Sequence, residues 1–394
     1  MLIAFLPLAF TGCNREVAEN VKESWRPEEP DAKQNGEMDN MLKKTLEENR
    51  FFNSTLAVMI DDVLYFTEET PAGKVQLTYF YDTKTGLVMP LCGRPECSHK
   101  TEDCAAFYAS TFGDLNYAFY NGELYWIGDM KYNKNTGERL LNVYACGPDG
   151  MNRRVAVKLD WEYDALASGF FGIYDGRIYR GGVGRYVVNG NAESGSLIYS
   201  RAINGDPDVK EIFRMDEEAN TLLCALAPGV LYFAVFGNGK SPAMTLYKYD
   251  IASDELKTLY DGEVPCWAFR MSALEDRILF YESRGAVFSY LLQTGDLSCV
   301  GFDESVGLLE AGDRSFLASK GYSGYCCFDL DGKLLYEGER DPSLFHEEKQ
   351  TKQYLGCYKG AFYFIYSSEK YHYLVVYDSN TDTWTVPWEA KVAK

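Results

Sequence analysis

The densest chemistry in the chain is Cys92-Gly93-Arg94-Pro95-Glu96-Cys97-Ser98-His99-Lys100-Thr101-Glu102-Asp103-Cys104, which packs three thiols and an imidazole into thirteen residues. Three Cys and one His are the ligand set of a closed tetrahedral zinc site, and a loop this short can wrap one ion. The spacing, C-x4-C-x-H-x4-C, is not the paired C-x-x-C knuckle of common zinc folds. A disulfide is the competing chemistry. Cys97 with Cys104 would close a small loop in an oxidising compartment, leaving one thiol in need of a distant partner and His99 without a role. Either way the loop is structural, because four protein ligands leave no open coordination position.

The elements around this loop recur. A hairpin rich in Tyr, Phe and Leu, such as Asp62-Val63-Leu64-Tyr65-Phe66, is followed by a second of the form Tyr81-Asp82-Thr83-Lys84-Thr85-Gly86. Seven copies of the first hairpin align on Leu64, Leu124, Ile178, Leu231, Ile278, Phe316 and Phe362, spaced 38 to 60 residues apart. A period of about 50 falls in the range of kelch and related propeller repeats. The turns Asn121-Gly122, Asp175-Gly176 and Pro228-Gly229 supply the backbone angles that two-residue hairpins require. Two hairpins make a four-stranded antiparallel blade, and none can bury both faces unless its neighbours stack on it. The expected fold is all-β, a seven-bladed β-propeller of four-stranded antiparallel blades over residues 51–388, with six or eight blades as the alternatives.

The first residues, Met1-Leu2-Ile3-Ala4-Phe5-Leu6-Pro7-Leu8-Ala9-Phe10-Thr11-Gly12-Cys13, form an apolar run ending in small residues and a cysteine. That is the pattern of a secretory signal, too short to span a bilayer. Residues 14–50 are polar and read as a tether, with Met38, Met41, Leu42 and Leu46 at helical spacing for a short helix. The chain carries 39 basic and 58 acidic residues, a net charge of −19. Such a surface repels phosphate backbones and anionic lipid, which argues against nucleic acid and against direct bilayer adsorption.

Phe10-Thr11-Gly12-Cys13 resembles the bacterial lipobox, with Phe10 in place of the usual aliphatic residue. The resemblance implies a signal peptide over 1–13, a diacylglycerol on Cys13 and stable membrane anchoring through the lipid alone. Val376 to Trp384 resembles the closing half of a kelch repeat, and Ile178-Tyr179-Arg180-Gly181-Gly182 its opening half. Over 51–388 the chain resembles the secreted bacterial β-propeller lipoproteins of unassigned function, with TolB-like and kelch-like blades. A Cys, Cys-x-His, Cys arrangement after a Pro-Leu pair is shared with similar propeller lipoproteins, which implies that the four residues act as a unit.

Catalytic signatures fail on inspection. Gly237-Asn238-Gly239-Lys240-Ser241 imitates a phosphate loop, but Ala234 stands where its first glycine belongs. Gly321-Tyr322-Ser323-Gly324 lacks the spacing of a nucleophile elbow, and Ser379 to Trp384 lacks the Asp and Gly of an aspartate box. Asp160, Glu162 and Asp164 around Trp161 and Tyr163 form the most suggestive acidic and aromatic cluster. Trp161, Glu162, Asp164 and Trp267 are accordingly the candidate ligand-binding residues, with Phe170, Phe171 and Tyr322 as further loop aromatics. The remaining cysteines, Cys146, Cys224, Cys266, Cys299, Cys326, Cys327 and Cys357, stand in apolar contexts as small hydrophobes.

The expectation is a monomeric, extracytoplasmic, lipid-anchored propeller on the bacterial cell membrane. It acts as a binding or assembly scaffold for a protein or glycan at the cell surface, with a structural zinc ion or a disulfide in the cysteine loop. The alternative is a glycan-active enzyme using two carboxylates at the channel mouth.

Overall fold

The computed structural model describes residues 57–392 apart from 70–75, 101–103, 109–116, 133–138, 160–165, 189–190, 205–207, 216–220, 238–241, 269, 282–285, 302–305, 321–322 and 345–350. The signal and tether readings on residues 1–50, including Cys13, lie outside the described residues.

Blade 1 is β1 (Ala57–Ile60), β2 (Val63–Glu69), β3 (Gln76–Asp82) and β4 (Leu87–Pro90). Blade 2 is β5 (Tyr117–Tyr120), β6 (Glu123–Tyr132), β7 (Arg139–Cys146) and β8 (Arg154–Leu159). Blade 3 is β9 (Leu166–Tyr174), β10 (Arg177–Val188), β11 (Asn191–Ala202) and β12 (Val209–Met215). Blade 4 is β13 (Thr221–Ala227), β14 (Val230–Phe236), β15 (Ala243–Asp250) and β16 (Glu255–Glu263). Blade 5 is β17 (Arg270–Ala273), β18 (Arg277–Tyr281), β19 (Ala286–Leu291) and β20 (Leu297–Gly301). Blade 6 is β21 (Val306–Ala311), β22 (Ser315–Lys320), β23 (Gly324–Asp329) and β24 (Leu334–Glu339). Blade 7 is β25 (Thr351–Tyr358), β26 (Ala361–Ser367), β27 (Tyr371–Asp378) and β28 (Thr383–Lys391). A single 3-10 turn, Pro342–Leu344, is the only helical element among the described residues.

Each of the seven sheets has four strands in meander order, so the fold is the expected propeller with seven blades. The first strand of each blade is innermost: β1 lies beside β5 and β25, β5 beside β9, β9 beside β13, and β13 beside β17. The seven residues that align the repeat, Leu64 to Phe362, each follow the first hairpin turn and are all 0% exposed. They are the points where successive blades meet. Phe170 and Phe171, expected in a loop, lie instead on innermost strand β9, and Phe171 is buried against Tyr125 and Ile127 of blade 2. The Phe-Phe pair carries strand propensity that the neighbouring Ser168 and Gly169 obscure in sequence.

Among the described residues no strand is exchanged between blades 7 and 1, and side-chain contacts join them at the seam. Trp388 packs edge-on to Phe66 at 6.4 Å and beside Tyr79 at 5.3 Å, and Tyr81 meets Tyr363 at 6.4 Å. Near one end of the seam the buried Glu68 carboxylate lies 2.7 Å from His372 Nδ1. Near the other, Asp62 sits in the blade 1 turn with φ +68° and clasps blade 7. It accepts hydrogen bonds from Lys359 Nζ at 2.9 Å and the Tyr358 hydroxyl at 3.1 Å, while Lys84 Nζ lies 2.9 Å from its second oxygen.

Hydrogen bonds from Lys359 and Lys84 hold the Asp62 carboxyl at about 2, below its ordinary 3.8. A carboxyl depressed in the folded state contributes stability that is full above pH 4 and lost as pH falls toward 2. We predict that Asp62→Asn costs about 1 kcal/mol at neutral pH, in line with partly exposed ion pairs. The gap from wild type should shrink between about pH 4 and pH 2 in urea titrations. An unchanged gap across that window would remove the clasp from the seam.

Candidate metal centre

After β4 the chain leaves the outer edge of blade 1 at Leu91, whose N–H donates to Thr78 O at 2.8 Å. It returns through Cys104 to Tyr108, where Thr78 N–H donates to Ala106 O and Tyr108 N–H to Gln76 O, each at 2.8 Å. The cysteine loop is therefore an excursion whose two limbs are pinned to β3. Within it the ligand atoms of Cys92, Cys97, His99 and Cys104 all lie within 4.8 Å of one another. His99 Nδ1 is 3.4 Å from Cys104 Sγ. A tetrahedral centre with thiolate bonds of about 2.3 Å and an imidazole bond of about 2.0 Å would separate those two atoms by about 3.5 Å. His99 has φ +53°, the left-handed region, which turns its ring back toward the thiols.

The four residues fit a closed metal site of three sulfurs and one nitrogen, and the group could hold a metal ion. Burial resists ionisation of Cys92, yet N–H donors from Arg94 and Ala105 and the adjacent thiols hold it below its ordinary value. Burial and the neighbouring thiols push Cys104 up to about 12. Metal binding would displace the protons that these thiols retain. No disulfide joins the ten described cysteines to one another. Cys299 departs from the expected burial, because β20 is the outer strand of its blade and leaves the thiol exposed.

The loop is held onto blade 2 by contacts that local sequence does not display. Gly150, with φ +77°, lies so close to Leu91 that a Cβ there would meet the Leu91 carbonyl oxygen at 2.3 Å. The Tyr65 hydroxyl donates to Pro148 O at 3.2 Å in the same hairpin. The Arg153 guanidinium lies over Phe107, Trp126 and Tyr144 at 5.6, 5.5 and 5.1 Å, and its Nη1 donates to Phe107 O. Deeper in the cleft the buried Tyr117 hydroxyl bonds to Thr67 and Thr78 of blade 1. The only sequence hints were Pro148-Asp149-Gly150, a turn, and an Arg beside an aromatic strand.

At the rim of this cleft are exposed aliphatic side chains. Leu87 and Met89 of β4 share a face with Phe80 and Tyr65, the face that blade 1 turns to blade 2. Val155 pairs with Tyr144 on the opposing face of blade 2, and Met151 approaches Gly93 of the cysteine loop. Their exposures are 47% for Leu87, 43% for Met89, 39% for Val155 and 40% for Met151.

Trp161, Glu162 and Asp164 fall on the connection between blades 2 and 3, outside the described residues. Trp267 lies on the connection from blade 4 to blade 5, half-buried with its ring 6.3 Å from Phe236.

No protein-family model matches the chain, and no curated protein matches it. Among solved structures it is similar to a prolyl endopeptidase, with TM-score 0.55 and 10% identity over 90% of this chain and 53% of that one. It is also similar to a puromycin-hydrolysing peptidase of Mycobacterium tuberculosis, with TM-score 0.51 and 10% identity over 89% of this chain and 56% of that one. The chain spans about half the length of these structures, and at such identity the likeness is one of fold.

We predict that Arg153→Ala releases the return limb of the loop at a cost of about 1 to 2 kcal/mol, the worth of a desolvated cation–π contact. Hydrogen exchange at Phe107 and Tyr108 should accelerate while exchange in blade 5 is unchanged. Equal acceleration in both regions would mean that Arg153 supports the ring and not the loop.

Proposed function

We propose that the chain is an extracytoplasmic scaffold that docks a protein partner on the rim between blades 1 and 2, over a cysteine loop stapled by a structural zinc ion. The observation that carries this reading is the exposure of Leu87 and Met89 on the face of blade 1 turned to blade 2, of Val155 on the opposing face, and of Met151 beside Gly93 of the cysteine loop. Contiguous exposed apolar surface rimmed by polar residues is characteristic of protein interaction sites. Leu87, Met89, Met151 and Val155 offer aliphatic contact, whereas a sugar would call for exposed aromatic faces, so a protein partner is favoured over a glycan. Zinc is the ion that best suits three thiolates and an imidazole in a closed tetrahedral set.

In the same reading residues 1–13 are a lipoprotein signal, Cys13 carries the lipid, and residues 14–50 hold a monomeric propeller at 51–388 off the bacterial membrane. The net charge of −19 favours partners other than nucleic acid and leaves the lipid as the membrane contact. Metabolic labelling with a fatty acid analogue should vanish in Cys13→Ser, and labelling that persists would refute the anchor.

The docking surface is tested with a photo-crosslinking residue placed singly at Leu87, Met89 and, on the outer strand of blade 6, Leu335. The two rim positions should capture the same protein on intact cells and Leu335 should not. Cys104→Ser, which removes a zinc ligand, should weaken that capture. Equal capture from all three positions would contradict a defined rim site.

A further inference from the structure

The innermost strands of blades 5, 6 and 7 bring together a charge group that the cysteine loop does not involve. Arg270 opens β17, Glu310 lies on β21 and Lys352 is the second residue of β25. Arg270 Nη1 donates to Glu310 Oε2, and the Glu310 side chain is only 6% exposed while that of Arg270 is 47% exposed. Lys352 Nζ sits 4.2 Å from the centre of the Phe364 ring. It makes no hydrogen bond and no ion pair among the described residues. Arg340 lies nearby, its guanidinium 4.7 Å from the centre of the Tyr366 ring, and Tyr366 pairs with Lys352 across β25 and β26. Glu310 thus has two cations, Arg270 and Lys352, within electrostatic reach, and Arg340 adds a third beside Lys352, in a chain whose net charge is −19.

A desolvated ammonium without a hydrogen-bond acceptor is costly, and such a group persists where a counter-charge can reach it. Burial, with Arg340 and Arg270 adding to it against the pull of Glu310, lowers the Lys352 ammonium to about 8. Tyr281 pairs with Arg270 across β17 and β18, and its fully buried hydroxyl faces the Arg270 guanidinium and Ser272. An oxyanion would supply the acceptors that this cluster lacks. The half-exposed Arg270 can use its remaining N–H groups on such an oxyanion while one stays on Glu310.

We propose that Lys352 and Arg270, with Arg340 beside them, form a binding site for a small oxyanion, a carboxylate or a phosphate, on the axial side of blades 5 to 7. Glu310 holds the Arg270 guanidinium in place and limits the site to one bound anion. The aromatic rings of Phe364 and Tyr366 keep the two other cations pre-positioned and partly dry, which strengthens their attraction for a charge of opposite sign.

The test uses the full chain with inorganic phosphate and, separately, succinate as probes. Labelling of Lys352 by an amine-reactive reagent, followed by peptide mass mapping, should slow saturably as one probe is added, while exposed Lys257 is unaffected. The probe that protects at lower concentration identifies the source of the oxyanion. In thermal melts the same probe should raise Tm of the wild type, and its affinity should fall about tenfold or more in Lys352→Met or Arg270→Gln. If either variant fails to fold, the wild-type protection still decides. Lys352 labelling that neither probe slows, or a Tm rise that both variants retain, would overturn the site.

Discussion

A ring of seven sheets has one seam that no hairpin spans, and here, among the described residues, blade 7 meets blade 1 without a shared strand. Every other interface is held by a covalent connection between neighbouring blades, so the seam carries the cost of bringing residues about 300 apart into contact. The protein meets that cost with apolar packing of Trp388 on Phe66 and Tyr79, capped by Asp62 and by the Glu68–His372 pair. Replacing one partner of a buried polar pair leaves the other without its contact, so the Glu68–His372 end is more sensitive to substitution than its contact area suggests.

The seam also explains where the cysteine loop is placed. Blade 1 is anchored on one side by the seam and must be held on the other by blade 2, yet β4 is only four residues long and leaves much of β3 without an outer neighbour. The limbs of the loop supply that neighbour at Thr78 and Gln76, and Arg153 and Gly150 press the loop on blade 2. A crosslink among Cys92, Cys97, His99 and Cys104 would rigidify this edge. It would also fix the border of Leu87, Met89, Met151 and Val155, linking loop order to the surface proposed for docking.

Much of this was legible in the sequence because it depends on local pattern. The hairpin period exposed the blade count, and the residue chosen to align it proved to be the fully buried point of every blade. The Cys/His ligand set was legible for the same reason, since all four residues fall in one loop. What escaped were pairings between distant residues. Asp62 with Lys359, Arg153 with Phe107, and Arg270 with Glu310 involve charges that look ordinary in their own segments, and only the ring brings them together. Phe170 and Phe171 show the converse: beside Ser168 and Gly169 they read as loop, but packing of Phe171 on blade 2 and of Phe170 on blade 4 makes them strand.

The account turns on a metal holding the cysteine loop, and the most direct measurement is X-ray diffraction on crystals of reductant-treated protein, collected on both sides of the zinc absorption edge. The predicted result is one anomalous peak per chain, about 2.3 Å from the sulfurs of Cys92, Cys97 and Cys104 and about 2.0 Å from a nitrogen of His99. A peak-free loop, with the sulfurs of two of these cysteines bonded in untreated crystals, would contradict the metal centre and leave a disulfide as the staple.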